Sequence, residues 1–194
     1  MTTTDSRAQY GGQLQFLTIL GLIVTVITFV LSAAYDVLPL HFLHATKRVF
    51  ALIALPVEIT ISAIYWPLII FAPALMLPPK LDAAPGPDGT PPALFWIPLW
   101  MDLGLHAIPA ASLIIDFFLL EKKYQPPTST RIVTWLATGL GVAYGRWAEH
   151  CNKINGHFAY PFLDVMSPTA RALTYSGAAG FALVVFWGLN ALHK

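Results

Sequence analysis

Long apolar runs without charge constrain this chain more than any other feature of its sequence. The first of them, residues 14–35, carries no Asp, Glu, Lys or Arg. About 20 apolar residues in a helix are enough to cross the hydrocarbon core of a bilayer. Charged residues make up only 11% of the 194 residues, whereas about 25% is typical of a soluble domain. Because the chain lacks the polar groups that would cover a water-facing surface, we predict an all-α polytopic membrane protein.

The spacing of the apolar runs predicts a bundle of about five transmembrane helices in a single integral membrane domain, residues 1–194. The predicted spans are residues 14–35, 49–77, 93–120, 132–147 and 172–192. Prolines interrupt the second span, and the fourth is short for a bilayer crossing, so a re-entrant segment is its alternative. The proline- and glycine-rich residues 78–92 and the polar residues 149–171 are expected to be loops.

Charge and cysteine content exclude several classes of function. The formal net charge is +1 and no basic stripe is present, so nucleic acid is not expected as a partner. The single cysteine, Cys151, cannot form a disulfide within the chain. His41 and His44 are close enough in sequence to share a metal ion, but no third ligand accompanies them. A metal site is therefore not expected.

Five spans place the two termini on opposite sides of the membrane. The Lys and Arg residues of the connections slightly favour a cytoplasmic C-terminus. Spans one and three then run in the same direction, and their N-terminal ends share one membrane face with residues 149–171. At a rise of about 1.5 Å per residue, Thr18 lies roughly 6 Å and His106 roughly 12 Å from this face. These depths are compatible with contact between the two side chains.

His106 is the most unusual residue of the predicted spans, because an ionisable side chain inside a bilayer indicates a functional site by default. A hydroxyl facing an imidazole is the minimal set of groups for nucleophilic ester cleavage. The neutral ring would accept the proton of Thr18 and later return it to the leaving alkoxide. Thr18 and His106 are therefore candidate catalytic residues.

Each of these residues also has a purely structural interpretation. A threonine in a membrane helix usually hydrogen-bonds the backbone carbonyl one turn earlier, which would make Thr18 a packing residue. An embedded histidine can bond across helices without any chemistry. Asp102 lies one turn before His106 on the same helix face. It either accepts the second ring N–H, as the third member of a catalytic triad does, or faces water at the interface.

Two further carboxylates, Glu58 and Asp116, fall inside predicted spans. An isolated carboxylate there is costly unless it is protonated, paired with a cation or in contact with water. Together with His106 they could line a path for protons or solutes. A small transporter, or a multi-pass membrane protein without chemistry of its own, is therefore the alternative function. Lys153 and Arg171 lie at the membrane face of the candidate site, where they could attract a substrate carboxylate.

The order and spacing of several short segments resemble one family of membrane proteins over nearly the whole chain. The segments are YGG at 10–12 with FLT at 16–18, LPV at 55–57 with YW at 65–66, WMDLGLH at 100–106 with Pro109, and GHFAYPFL at 156–163 with Pro168 and Arg171. Taken together, this ordered set resembles a fungal-type member of the androgen-induced protein family, which includes the androgen-dependent TFPI-regulating protein.

Members of that family are multi-pass transmembrane threonine hydrolases. The resemblance implies that this chain hydrolyses a fatty acid ester of a hydroxy fatty acid, drawn from the bilayer, with no metal or cofactor. The catalytic pair of the family is the threonine of the FLT segment and the histidine of the glycine-x-histidine segment, which match Thr18 and His106. The resemblance also implies an endomembrane location, above all the endoplasmic reticulum. Animal members usually have asparagine in place of Asp102 and often histidine in place of Leu103.

Overall fold

The computed structural model describes residues 9–77 and 93–194, and the predicted loop at 78–92 lies outside them. The described residues form α1 (Leu17–Val37), α2 (His41–Phe71), α3 (Leu99–His106), α4 (Ile108–Leu119), α5 (Val133–Asn155), α6 (Pro161–Asp164) and α7 (Pro168–Leu192). Short 3₁₀ turns precede α1 and follow α2. These parts of the chain contain no β-strand element, so the predicted all-α fold is confirmed.

The long helices pass through the bundle in alternating directions, as contacts at its two ends show. At one end, which we call the Thr18 end, the start of α1 meets Tyr160, and Asn155 at the end of α5 binds the backbone of Tyr10. At the opposite end, the Lys47 end, the start of α2 meets the end of α4, where Lys47 pairs with Asp116. The predicted sharing of one face by the starts of α1 and α3 and by the 149–171 region agrees with these contacts.

The helices differ in how well they suit a membrane crossing. Helices α1, α2 and α7 are long and apolar enough to cross a membrane, and α3 with α4 forms a bent pair that qualifies as one further span. The predicted fourth span, residues 132–147, is instead the start of α5, which continues to Asn155 and includes charged residues. Among residues 9–77 and 93–194, three or four spans thus meet the criteria of length and apolar composition, and α5 traverses the bundle beside them with a polar C-terminal half.

Helix α2 begins eight residues before the predicted second span and continues through two of its prolines. Pro56 and Pro67 lie inside the helix, and only Pro73 stands beyond its end. Internal prolines are tolerated in membrane helices because neighbouring groups satisfy the carbonyls that they free. The carbonyl of Pro56 itself accepts a hydrogen bond from the Thr60 hydroxyl at 2.7 Å.

The predicted third span, 93–120, is broken next to His106. Helices α3 and α4 meet at Ala107 with a bend of 40°, and Pro109 stands in the first turn of α4. A proline lacks an N–H donor and clashes with the carbonyl four residues earlier, so it disrupts a continuous helix at this point. His106 therefore ends one helix instead of lying in the middle of a longer one.

Small residues bring the helices close together. An added Cβ at Gly141 would lie 2.9 Å from the Cβ of Ala179, and one at Gly145 would lie 2.9 Å from the ring of Tyr175. Glycines four residues apart that allow close backbone approach are typical of helix packing in membranes. They hold α5 against α7, whose outer surface is largely exposed.

Candidate active site

The inner face of α1 consists of threonine and glycine. The buried residues of this helix are Thr18, Gly21, Thr25 and Thr28. A Cβ at Gly21 would lie only 2.9 Å from Oε1 of Glu58 on α2. The small residues therefore allow α1 to approach α2 closely along this face, with Thr18 at its beginning.

Contacts between α1 and α2 fix the level of Thr18 in the bundle. The Thr25 hydroxyl donates to Glu58 at 3.0 Å, and the Gly21 Cβ position is 3.0 Å from Ile61. Because the two helices are antiparallel, one turn back along α1 corresponds to one turn forward along α2. Thr18 therefore lies at the level of Tyr65.

Tyr65 in turn holds the imidazole of His106. The two rings stack with their centroids 3.5 Å apart and their planes 9° from parallel. His106 is 6% exposed and Tyr65 is 5% exposed, so the stack is buried. The helix register and the stack together bring Thr18 and His106 to the same level at the Thr18 end of the bundle.

Asp102 sets the orientation and the tautomer of the His106 ring. Its Oδ1 lies 2.8 Å from Nδ1 of His106, one turn away on α3, and both side chains are largely buried. An ionised carboxylate only accepts hydrogen bonds, so Nδ1 carries a proton and the neutral ring has its lone pair on Nε2. The Tyr65 hydroxyl faces this carboxylate but forms no hydrogen bond. Of the two predicted placements of Asp102, the structure shows the one that orients the ring.

The break after α3 fixes the backbone of His106. Its carbonyl accepts hydrogen bonds from the Ser62 hydroxyl and from the Trp66 indole N–H, both on α2. Irregular backbone at membrane depth occurs where it is buried within the protein and its polar groups are satisfied. The same break that interrupts the span thus anchors the histidine to α2 at two points.

The surroundings of Thr18 differ from those of most other helical threonines. Five other threonines donate to the carbonyl four residues earlier, namely Thr28, Thr46, Thr60, Thr134 and Thr174. For Thr18 that carbonyl belongs to Leu14, which precedes α1 and accepts from the Trp147 indole N–H at 2.9 Å. The usual backbone acceptor of a helical threonine is therefore already engaged by another residue.

The C-terminal half of α5 holds the segment that leads into α1. Trp147 binds the Leu14 carbonyl, the Tyr144 hydroxyl donates to the Gln15 carbonyl at 3.1 Å, and Asn155 binds the backbone of Tyr10. Gly11 in this segment has φ +83°, and a Cβ there would lie 2.8 Å from the Gln15 side chain. The C-terminal half of α5 is too polar for this helix to count as an apolar span, and it positions the start of α1.

Tyr160 contacts Thr18 from the chain segment after α5. Its hydroxyl oxygen accepts the Leu17 backbone N–H at 3.0 Å and lies beside the side chain and backbone of Thr18. Its ring packs edge-on against Phe16 with the ring centroids 5.6 Å apart. Burial raises the pKa of the Tyr160 phenol, so this group is protonated at neutral pH. In the sequence, Tyr160 lies in a predicted polar loop, where nothing local indicates a function.

Several other titratable residues singled out in the sequence have partners of their own. Asp116 pairs with Lys47 at 2.8 Å, and Lys47 also lies 2.6 Å from Glu121. His44 lies 3.4 Å from the same Glu121 carboxylate. Arg171 binds Glu149 through two nitrogens, so its charge is balanced within the protein. The described residues contain no group of three or more side chains suited to hold a metal ion.

Two apolar grooves flank the start of α1. One lies between α2, α5 and α7, and the other lies between α1, α2 and α5. Both are lined by Leu17, Ile53, Val57, Leu140 and Tyr144. The first groove continues past Tyr175 into a polar pocket that Arg146 and Lys153 help to line. The grooves therefore meet beside the residue that precedes Thr18.

The fold and the site define a polytopic α-helical membrane protein with a buried threonine, histidine and aspartate at one end of the bundle. A family model described as FAR-17a/AIG1-like protein matches residues 1–194, so the chain belongs to this family. It is 25% identical to a UPF0641 membrane protein of Schizosaccharomyces pombe over 96% of this chain and 78% of that protein. It is 23% identical to the androgen-induced gene 1 protein of Homo sapiens over 88% and 71% of the two chains. No solved structure matches the chain.

Proposed function

We propose that this protein is a membrane-embedded lipid ester hydrolase, with Thr18 as the nucleophile and His106 as the general base and acid. The single observation that carries the proposal is the placement of the His106 ring. Asp102 holds Nδ1 at 2.8 Å and leaves the lone pair on Nε2. The ring stacks on Tyr65, and the register of α1 against α2 puts Thr18 at the level of Tyr65. A hydroxyl, an imidazole and an orienting carboxylate are the groups that nucleophilic acyl transfer requires.

The reaction would follow from these groups in two halves. The Thr18 oxygen attacks the ester carbonyl while its proton passes to Nε2 of His106. The tetrahedral intermediate then collapses to an acyl-threonine, and His106 protonates the leaving alkoxide, which departs as the hydroxy fatty acid. Water attacks the acyl-threonine with His106 again as the base, and the free fatty acid leaves.

A fatty acid ester of a hydroxy fatty acid fits the surroundings of this site. Such a substrate has two hydrocarbon chains that diverge from one ester, and two apolar grooves meet beside Leu17. It also has a free carboxylate, and Arg146 and Lys153 supply positive charge in the adjoining polar pocket. Arg171, which the sequence suggested for this role, is paired with Glu149. The substrate would enter from the bilayer, and an endomembrane location such as the endoplasmic reticulum would supply it.

The alternative, a small transporter, finds less support in the contacts of its carboxylates. Asp116 forms a buried ion pair with Lys47, and Glu58 accepts a hydrogen bond from Thr25 at 3.0 Å. Both side chains are engaged within the protein, whereas a proton path requires groups that exchange partners with water. We therefore favour the hydrolase over the transporter.

Hydrolysis by membranes that contain the protein tests the proposal. The wild type should hydrolyse a fatty acid ester of a hydroxy fatty acid, and Thr18→Ala and His106→Ala should each lose this activity at equal expression. Thr18→Ser, which keeps a hydroxyl, should retain part of it. Thr46→Ala and His41→Ala, which lie at the Lys47 end, are the matched controls and should hydrolyse at the wild-type rate. Wild-type rates in Thr18→Ala would refute the mechanism.

A further inference from the structure

The reaction proposed above needs a hydrogen-bond donor that the pair of Thr18 and His106 does not supply. When the threonine oxygen attacks, the electron pair of the carbonyl bond moves to the carbonyl oxygen and creates an oxyanion. Enzymes of this kind stabilise the oxyanion with positioned donors close to the nucleophile. Such a donor must be one of the hydroxyl or N–H groups around Thr18.

Most donors near the site are already committed to other acceptors. Ser62 and Trp66 donate to the His106 carbonyl. The Tyr144 hydroxyl donates to the Gln15 carbonyl at 3.1 Å, and the Trp147 indole N–H donates to the Leu14 carbonyl. The Leu17 backbone N–H, at the start of α1, donates to Tyr160. None of these protons is directed at a substrate next to Thr18.

Tyr160 is different because its hydroxyl is an acceptor in its observed hydrogen bond. The oxygen receives the Leu17 N–H at 3.0 Å and lies within hydrogen-bonding reach of the Thr18 and Tyr144 hydroxyls, so the Tyr160 proton must leave one of these neighbours to reach a substrate oxygen. A donor that itself accepts a hydrogen bond is polarised and donates more strongly. The same hydroxyl lies beside the Thr18 side chain, where an attacked carbonyl would be.

We propose that Tyr160 is a third catalytic residue, whose hydroxyl donates a hydrogen bond to the oxyanion formed when Thr18 attacks the ester carbonyl. This proposal rests on the hydrolase function proposed above. The O–H bond of Tyr160 stays intact, since the phenol only donates a hydrogen bond and returns no proton to the leaving group. The proton of Thr18 still passes to His106, so the atoms and charges of the reaction balance without any further co-reactant.

The chain around Tyr160 is built to hold it in this place. Gly156, with φ +78°, ends α5 and turns the chain back toward α1. The Phe158 N–H donates to Asp164 at 3.0 Å, and the Arg171 guanidinium lies 4.7 Å from the centre of the Phe158 ring. Several contacts therefore fix this segment, so the phenol is preorganised as an oxyanion donor must be.

Kinetics of Tyr160→Phe test the proposal. Loss of one oxyanion donor typically lowers kcat by about 10²–10³-fold, so we expect a fall of about 100-fold in kcat with KM changed by less than about threefold. Tyr35→Phe is the matched control, because Tyr35 is on α1 at the Lys47 end and stacks there against His44. It should hydrolyse the ester at the wild-type rate.

Replacement of Tyr160 by fluorinated tyrosines separates catalysis from folding. Fluorine on the ring strengthens the phenol as a donor and keeps its shape and its contact with Leu17. Burial raises the pKa of this phenol, which opposes the lowering of its pKa by fluorine. Values of kcat that change steadily with the number of fluorines support the proposal. A kcat that is the same for all of these tyrosines overturns it.

The series also distinguishes this proposal from the function on which it rests. Thr18→Ala is measured beside the Tyr160 variants. If wild type is active and Thr18→Ala is not, but Tyr160→Phe keeps the wild-type kcat, then Tyr160 is not the donor and the hydrolase mechanism stands. If Thr18→Ala is as active as wild type, both proposals are overturned.

Discussion

Nδ1 of His106 lies 2.8 Å from Oδ1 of Asp102, and the two residues lie one turn apart on the same short helix, which His106 ends. Helix α3 has only eight residues, and Pro109 shortly after it prevents the helix from continuing. The carbonyl of His106, left at the break, is bound by two side chains of α2. An ionisable ring is thus fixed at its backbone and at one nitrogen, while its second nitrogen remains available as a base.

Substitution of Asp102 should reveal how much this hydrogen bond contributes to hydrolysis. Asp102→Asn keeps a carbonyl oxygen that can accept Nδ1–H but loses the charge that stabilises an imidazolium, so we expect a lower kcat, by as much as about 10⁴-fold as in a catalytic triad. Asp102→Leu removes the acceptor, and we expect a loss of about 100-fold or more. The measurement is the rate of ester hydrolysis at equal expression. Equal rates in all three proteins would show that Asp102 has no part in positioning the ring.

Tyr65 should contribute through its ring and not through its hydroxyl. The ring stacks on His106, while the hydroxyl is buried without a hydrogen-bond partner. A buried unpaired polar group costs about 1–3 kcal/mol, so Tyr65→Phe should unfold at a temperature no lower than the wild type. Tyr65→Leu, which loses the stack, should hydrolyse the ester about 10-fold more slowly. A large drop in the thermal stability of Tyr65→Phe would contradict this interpretation.

Gly21 should tolerate no larger side chain. A Cβ at this position would lie 2.9 Å from the Glu58 carboxylate, which Thr25 and the surrounding packing hold in place. We expect Gly21→Ala to lower the free energy of unfolding by about 1–3 kcal/mol, as for other overpacked sites. Gly188→Ala on α7 is the control, because a Cβ there meets no atom within 4 Å. Thermal unfolding in detergent measures both, and equal midpoints would refute the expectation.

The ion pairs at the Lys47 end should determine stability and not activity. Lys47 is 3% exposed and contacts both Asp116 and Glu121. Removal of one partner from a buried pair costs about 3–5 kcal/mol, because it leaves an uncompensated charge. Lys47→Met should lose stability by this amount, and Lys47→Met with Asp116→Leu should recover much of it, since Glu121 still has Arg48. If the double variant were less stable than the single one, Asp116 would not be the uncompensated charge.

Periodicity and composition predicted the helical bundle because each apolar run is a local property of the chain. They also predicted that Thr18 and His106 lie near the same membrane face at depths compatible with contact, since span direction and helical rise determine depth. The exact helix ends depended on contacts that are distant in sequence. Helix α5 continues past Arg146 because its polar residues bind the segment before α1. The contact of Tyr160 with Leu17 joins residues 143 positions apart and leaves no local pattern in the sequence.

Lys47 is a second residue whose environment depends on contacts distant in sequence. Because predicted span two began at residue 49, this lysine was placed outside the bilayer with the other charges that decide topology. In the structure it lies inside α2 and is buried against two carboxylates. A buried lysine is recognised only when its partners are known, and these lie about 70 residues away on and after α4.

Covalent labelling with a fluorophosphonate probe, followed by mass spectrometry of the labelled peptides, tests the central claim most directly. The account predicts an adduct on the Thr18 oxygen in wild-type membranes, no such adduct in Thr18→Ala, and labelling at least about 100-fold slower in His106→Ala because the base is absent. An adduct on another residue, or labelling of Thr18→Ala at the wild-type rate, would contradict it.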